Sequence, residues 1–491
     1  QIADTGTLGR LYESLILYPK ATSQIAKTIL SPVTHLRNFV SAGAFAAANG
    51  IIPGSDLAAV KQAYQALQTG LKGTRQQNEL YEELLELGVV NSNVKLGDLS
   101  RLMEDVNFGE TMTSDKGMRL LLKPLSRLKS VSQDLYTAED DFWKIYSWAV
   151  EKKRIEASFA KAGILPNQNM MVRRNGVDVK FDEDFLKREA ADIVKNNIPN
   201  YDYVSDFVKG LRKLPIGNFV SFPAEIARTG TNIVRRALRE INETIEIVDG
   251  TGKVIKTVKP MQGIGYQRLV GFTTTVAAIP VATTAAFQAI YDVTDDEREA
   301  IRRFAAQWSK NSTLLPIKDK ETGEFKYIDF SHANAYDTLL RPLQTVLNSV
   351  SDGMQDEDGM MDDFSKGVLT AMSEFAQPFI SEAIWTEAVS DLLMRGGKTR
   401  EGFQVYSEQD NDGDRNSKIM AHLVRAQMPF SFEQLKRLDR SIRPVDVLTK
   451  GKYDEYGQEF EFGDEFSGLF GFRAVNVNPD RAMNFKVANY Q

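Results

Sequence analysis

Apolar residues recur at three- and four-residue spacing through most of this chain, the period of helices that bury one face. Residues 11–29 carry the pattern, and residues 56–87 continue it with alternating charges near the end. A helix is predicted over residues 138–162. Thr137 with Asp140 three positions on has the form of a capping box, and Phe142, Ile145, Trp148 or Ala149, and Ile155 supply an apolar face. Gly163 and Pro166 are its stop signals. Trp143 and Trp148 fall about 140° apart around such a helix, so they are expected to pack into two neighbours rather than form one stacking platform.

Three pairs of short β-prone runs interrupt the helices. Residues 170–173 and 177–181 flank Asn175-Gly176, a strong tight-turn signal. Residues 245–248 and 254–258 flank Asp249 to Gly252, and residues 314–318 and 325–330 flank a loop with Glu321, Thr322 and Gly323. Their spacing is too irregular for a repeat family, and they read as protrusions suited to contacting neighbouring subunits. Residues 352–363 read as an acidic surface loop, and residues 398–416 are polar. From Pro444 onward Gly and Phe become frequent, a tail expected to wind over other surfaces. The predicted fold class is mainly α: an extended multi-helical body with short β-hairpin protrusions and an irregular C-terminal tail. Soft boundaries near 165, 260 and 345 divide it into regions 1–165, 166–260, 261–345 and 346–491.

Two uncharged stretches stand out. Residues 269–291, from Leu269 to Tyr291, hold no charge over 23 positions, enough to cross the ~30 Å core of a bilayer as a helix. Five threonines, Gln288 and the central Pro280 make the stretch a poor permanent anchor. Three readings follow: a helix buried in a soluble assembly, a conditional segment buried in one state and membrane-facing in another, or a resident membrane span. Residues 38–55 form the second stretch, broken by Asn49-Gly50 and Pro53.

The chain has 491 residues, 42% hydrophobic and 26% charged, which suits a folded protein with a large core. It begins with Gln1, not Met, which reads as part of a longer chain. The net charge of −6 excludes a global polycation, so any DNA contact would use local patches. There is no cysteine, which excludes disulfides and cysteine nucleophiles, and there are three histidines, His35, His332 and His422.

Catalytic motifs fail on inspection. Gly397-Lys398-Thr399 is similar to the end of a phosphate-binding loop, but Leu392 stands where that motif needs glycine. The run from Asp410 to Asp414 lacks the glycine and glutamate positions of a calcium-binding EF-hand loop and reads as an Asp-rich turn. No His-Glu-x-x-His or Gly-x-Ser-x-Gly pattern occurs. The expectation is a segment without enzymatic activity, cofactor or metal. Two basic stretches remain: Arg119, Lys123 and Arg127 with their neighbours, and Arg228, Arg235, Arg236 and Arg239 on a helix capped near Thr229 or Thr231. They are read as solvated faces or interface salt bridges, or alternatively as patches facing DNA or anionic lipid.

Ser31 is placed to cap a helix and Pro32 suits its first turn. His35, beside Arg37 and Asn38, is expected to cap or to bond between helices. The Gly/Ala/Ser surface that follows lets another helix approach closely. The run Leu30-Ser31-Pro32-Val33-Thr34-His35-Leu36-Arg37-Asn38 resembles runs in very large tailed-phage proteins. Asp140 to Lys144, Ser221 to Glu225 and Tyr327 to Ser331 are similar to pieces of the same proteins. Together they resemble the internal core or ejection proteins of short-tailed phages. The resemblance implies a structural protein that assembles with copies of itself and with other core, portal or ejection proteins. It further implies residence inside the virion, then a conduit through the host envelope, in contact with double-stranded DNA and the host membrane. The alternative is a noncatalytic segment of a giant virion-packaged enzyme, an RNA polymerase or lytic transglycosylase. A cellular helical scaffold is a third reading.

Overall fold

The computed structural model describes residues 19, 23, 31–69, 78–90, 116–166, 170–200, 221–249, 251–305, 309, 312–320, 323–330, 334, 336–337, 384–399, 404–427, 430–442, 461–469, 472 and 474–477. The fold is mainly α with small antiparallel sheets. Helix α1 (Pro32–Ala48) starts where Ser31 accepts from the Thr34 amide with Pro32 at the first turn. It ends in a left-handed Gly50 (φ 72°), with Gly50 N–H bonded to Ala47 O and Ile51 N–H to Ala46 O. Paired bonds of that kind satisfy the last orphan carbonyls. Helices α2 (Leu57–Thr69) and α3 (Glu79–Glu86) follow, led by the side chains of Asp56 and Asn78.

The spine is α4 (Lys116–Lys161). It begins far upstream of the predicted cap, so Thr137 is interior, and the backbone stays helical through Pro124. Its end is where the sequence places it: Gly163 is left-handed and Ile164 N–H reaches back to Phe159 O. Trp143 and Trp148 do anchor two different neighbours. The Trp143 indole donates to Phe39 O of α1 at 2.9 Å, and the Trp148 indole donates to Lys187 O at 3.1 Å in α5 (Glu183–Asn197).

The three hairpins form, but two of them merge. Strands β1 (Met171–Arg174) and β2 (Val177–Lys180) join β3 (Ile245–Val248) and β4 (Val254–Val258) in one sheet of order β2-β1-β3-β4. Val172, Ile245 and Ile247 face the core, so β1 and β3 are seated on the body while β2 and β4 stand out as exposed edge strands. Between β2 and β3 lies α6 (Ser221–Asn242), which starts eight residues before Thr229; Thr229 and Thr231 bond back to the carbonyls of Glu225 and Ala227 instead of capping.

After β4 the chain runs unbroken from α7 (Gln262–Thr273) through a π-turn (Thr274–Ala278) into α8 (Ile279–Tyr291). Helix α9 (Asp295–Phe304) opens with a Thr294–Glu297 capping box. Strands β5 (Leu314–Lys318) and β6 (Phe325–Asp329) pair, followed by α10 (Ile384–Leu393), α11 (Asp412–Gln427) and α12 (Phe430–Ile442). The Gly/Phe-rich tail is not wholly irregular. It supplies α13 (Phe462–Leu469) and β7 (Ala474–Val477), which completes a β5-β6-β7 sheet.

One hydrophobic core runs from Phe45 to Tyr336 and crosses the soft boundaries at 165 and 260. A smaller cluster of Val293, Ile301, Leu314 and Tyr327 takes Val475 and Val477 from the tail, across the boundary at 345.

Candidate functional site

Helices α7 and α8 with their π-turn form one 30-residue rod, Gln262–Tyr291, long and apolar enough to cross a membrane by length and composition. Its most apolar window is 17% buried. Tyr266, Val270, Val281 and Ile290 are each more than half exposed. The segment marked by Leu269, Pro280 and Tyr291 is therefore not buried within one chain. Ile264, Gly265, Arg268, Thr275, Val276 and Pro280 form its inner edge.

Pro280 explains the π-turn. Proline has no N–H and its ring crowds the carbonyl four residues earlier, so a regular α-helix cannot pass through it undisturbed. The Ile279 N–H bonds to Thr274 O, five residues back. That shift leaves the buried Thr275 carbonyl without a helical donor, and the side-chain amide of Asn334 donates to it at 2.6 Å. Asn334 is itself fixed by the Tyr336 N–H, which donates to its Oδ1 at 3.1 Å. The threonine hydroxyls are also spent internally: Thr273, Thr283 and Thr284 donate to the carbonyls of Leu269, Ile279 and Pro280. Such back-bonding lowers the cost of placing threonine in apolar surroundings.

The foot of the rod is locked by charge. Arg268, fully buried, donates through Nε and Nη2 to Glu240 (3.0 and 3.1 Å), through Nη1 and Nη2 to Glu151 (2.9 and 3.3 Å), and through Nη1 to Asn49 Oδ1 (2.8 Å). All five guanidinium N–H groups are thereby used. The array continues outward. Arg236 joins Glu240, Glu189 and Asp192, and Arg174 joins Glu189 and Glu243. Burial alone would raise the Glu189 pKa, but Arg236 and Arg174 hold it down to about 2. Arg154 donates to the Asn49 and Gly50 carbonyls at the end of α1. Backbone contact reinforces the lock, since a Cβ on Gly271 would lie 2.4 Å from Gly50 Cα.

The predicted basic contact at Arg236 is corrected. Its guanidinium is buried among three carboxylates and faces neither DNA nor lipid. Arg235 and Arg239 are exposed on α6. Arg119, Lys123 and Arg127 lie on the N-terminal part of α4, and their side chains fall outside the described residues. In the opening motif Ser31, Pro32 and Thr34 build the start of α1, Ser41 donates to the Asn38 carbonyl, and His35 Nδ1 sits 3.0 Å from Glu139 Oε1 of α4. Burial raises the Glu139 pKa against the pull of His35. The Arg37 side chain and all of His332 lie outside the described residues. His422 Nε2 is 3.1 Å from Asp391 of α10, and Asp410 accepts from the Ser407 N–H and pairs with Lys418. Among the described residues no cluster of three metal-ligating side chains occurs.

Sequence reading missed Arg268, Glu151, Glu240 and Asn334. The available signal was the Arg236–Glu240 pair at four-residue spacing on the helix face that also carries Ile233 and Ala237. Charges placed among core positions indicate buried pairing. No protein-family model, curated protein or solved structure matches this chain.

Proposed function

We propose that this chain is a structural internal virion protein of the kind short-tailed phages eject. It assembles with copies of itself and with other core or portal proteins, and then helps form a conduit for the genome through the host envelope. The observation that carries this reading is the exposed apolar rod Gln262–Tyr291 on a body that clamps one end of it. A folded chain that leaves such a surface uncovered is built to have it covered by something else. The motif resemblances at residues 30–38, 140–144, 221–225 and 327–331 supply the phage context. The role is mechanical and noncatalytic.

Ala278 and Ala282 are both exposed on the rod, so aspartate there leaves the chain folded while charging the apolar face. Particles carrying Ala278→Asp with Ala282→Asp are expected to lose genome delivery. Normal delivery by particles that contain the doubly substituted protein would contradict the proposal.

A further inference from the structure

We infer that the rod engages an anionic lipid bilayer side-on, as an interfacial helix still attached to its body, with Lys253, Lys256 and Lys259 holding lipid headgroups at its N-terminal end. The inference rests on the reading of the rod as a working surface and adds its partner and its geometry.

The lock at the foot decides between lying on a bilayer and crossing it. To cross, the rod would have to withdraw Arg268 from Glu151, Glu240 and Asn49, breaking five hydrogen bonds in the core. Each buried carboxylate would keep one cation fewer, Glu151 with Arg154 and Glu240 with Arg236. It would also have to separate Gly271 from the Gly50 backbone. The middle of the rod is held at the π-turn, where Asn334 grips Thr275. What the folded chain offers is one long face, about 45 Å at 1.5 Å per residue. Tyr266, Val270, Ile279, Val281, Ala282 and Ile290 are exposed along it. A helix that presents one apolar face and keeps the other occupied lies in the interface rather than across it.

Charge selects the partner. No Asp or Glu occurs anywhere from Lys253 to Tyr291. Lys253, Lys256 and Lys259 are exposed and make no ion pair with any described residue. Val254 and Ile255 are exposed between Lys253 and Lys256, so aliphatic surface lies among the cations along the edge strand β4 and its flanks. The nearby acids are already occupied: Asp249 accepts from the Thr251 and Lys253 amides of its own turn, and Asp178 and Glu246 face Arg173. Beyond the other end stand Asp292, Asp295 and Asp296, which disfavour an anionic surface there. Lysines beside exposed aliphatic surface, with no carboxylate among them, match a sheet of negative headgroups over acyl chains.

The test uses the purified 491-residue chain. It is floated with vesicles of phosphatidylcholine alone and of phosphatidylcholine mixed with phosphatidylglycerol. Binding is expected to the mixed vesicles and to fall roughly 100-fold in Lys253→Gln/Lys256→Gln/Lys259→Gln, about fivefold per lysine. Circular dichroism of the variant should match the parent, because all three side chains are exposed. Since the chain has no cysteine, Val281→Cys gives one labelling site. A fluorophore there should be quenched by lipids brominated near the headgroup more than by lipids brominated near the chain ends. Equal binding to both vesicles, no binding by folded protein, quenching at the bilayer centre, or Val281→Cys cross-linking to a second copy in place of lipid binding would each overturn the inference. Failure on vesicles while the chain is still found in particles sinks this inference alone. Absence of the chain from particles sinks the functional proposal and leaves the vesicle result standing.

Discussion

The Asn334 side-chain amide donates at 2.6 Å to the Thr275 carbonyl, the acceptor that the π-turn before Pro280 leaves without a backbone donor. The two residues are 59 apart in sequence, and both are buried. A defect imposed by proline is thus repaired from another part of the chain. Asn334→Ala should cost about 1–3 kcal/mol, the penalty for a buried unpaired carbonyl. Asn334→Asp should be at least as harmful, since an ionised carboxylate offers that carbonyl no donor. Urea unfolding of both variants checks this; an unchanged midpoint for Asn334→Ala would contradict it.

Arg268→Met removes the cation shared by Glu151 and Glu240 and should destabilise the chain by roughly 3–5 kcal/mol. Replacing all three by Met, Leu and Leu should not recover that loss, because it takes the Glu151 carboxylate from Arg154 and the Glu240 carboxylate from Arg236. Arg188→Met, at the exposed pair with Asp184, should change nothing measurable. Thermal melts of the three variants decide the matter, and similar melting temperatures for Arg268→Met and Arg188→Met would refute the lock.

Gly271→Ala puts a methyl group against the Gly50 backbone and the Ala47 carbonyl, neither of which can rotate away. About 1–3 kcal/mol of destabilisation is expected from the forced helix separation. Gly263→Ala, in the same helix with nothing within 4 Å of its Cβ, should stabilise by roughly 0.5–1 kcal/mol. Opposite signs in denaturant midpoints are the required result.

Two buried carboxyls give stability opposite pH dependences. Burial pushes the Asp337 pKa up to about 6, despite its bonds from the Thr313 amide and hydroxyl. Its neutral form is the one the fold favours, so its contribution is full below about pH 4 and is lost as pH rises through 6, by up to roughly 3 kcal/mol. Asp337→Asn should flatten that fall. Glu189, held at about 2, contributes stability above about pH 4.5 that disappears as pH drops toward 2. Urea midpoints across this range test both, and an unaltered slope in Asp337→Asn would contradict the first.

Local signals were legible in the sequence and long-range ones were not. Ser31 and Pro32 announce α1, Gly163 announces the end of α4, and Asn175-Gly176 announces the first hairpin, because caps and turns are decided within a few residues. The merger of two hairpins into one sheet depends on β1 meeting β3, more than 70 residues away, for which no local pattern exists. The start of α4 differs because Thr137 and Asp140 match a capping pattern inside a helix that already runs from Lys116. The uncharged rod was visible as composition. Its exposure was not, since a helix covered by its own chain and one awaiting a partner can share a sequence. Arg236 looked like a surface cation because its three carboxylate partners lie on α5 and one turn further along α6.

The most direct measurement is the amount and position of this chain in purified particles before and after DNA release, together with the host envelope fraction. A fixed number of copies is expected inside each full particle, with loss of those copies when DNA leaves and their recovery with the envelope. A chain that is absent from full particles, or that stays with the emptied shell, would contradict the proposed function.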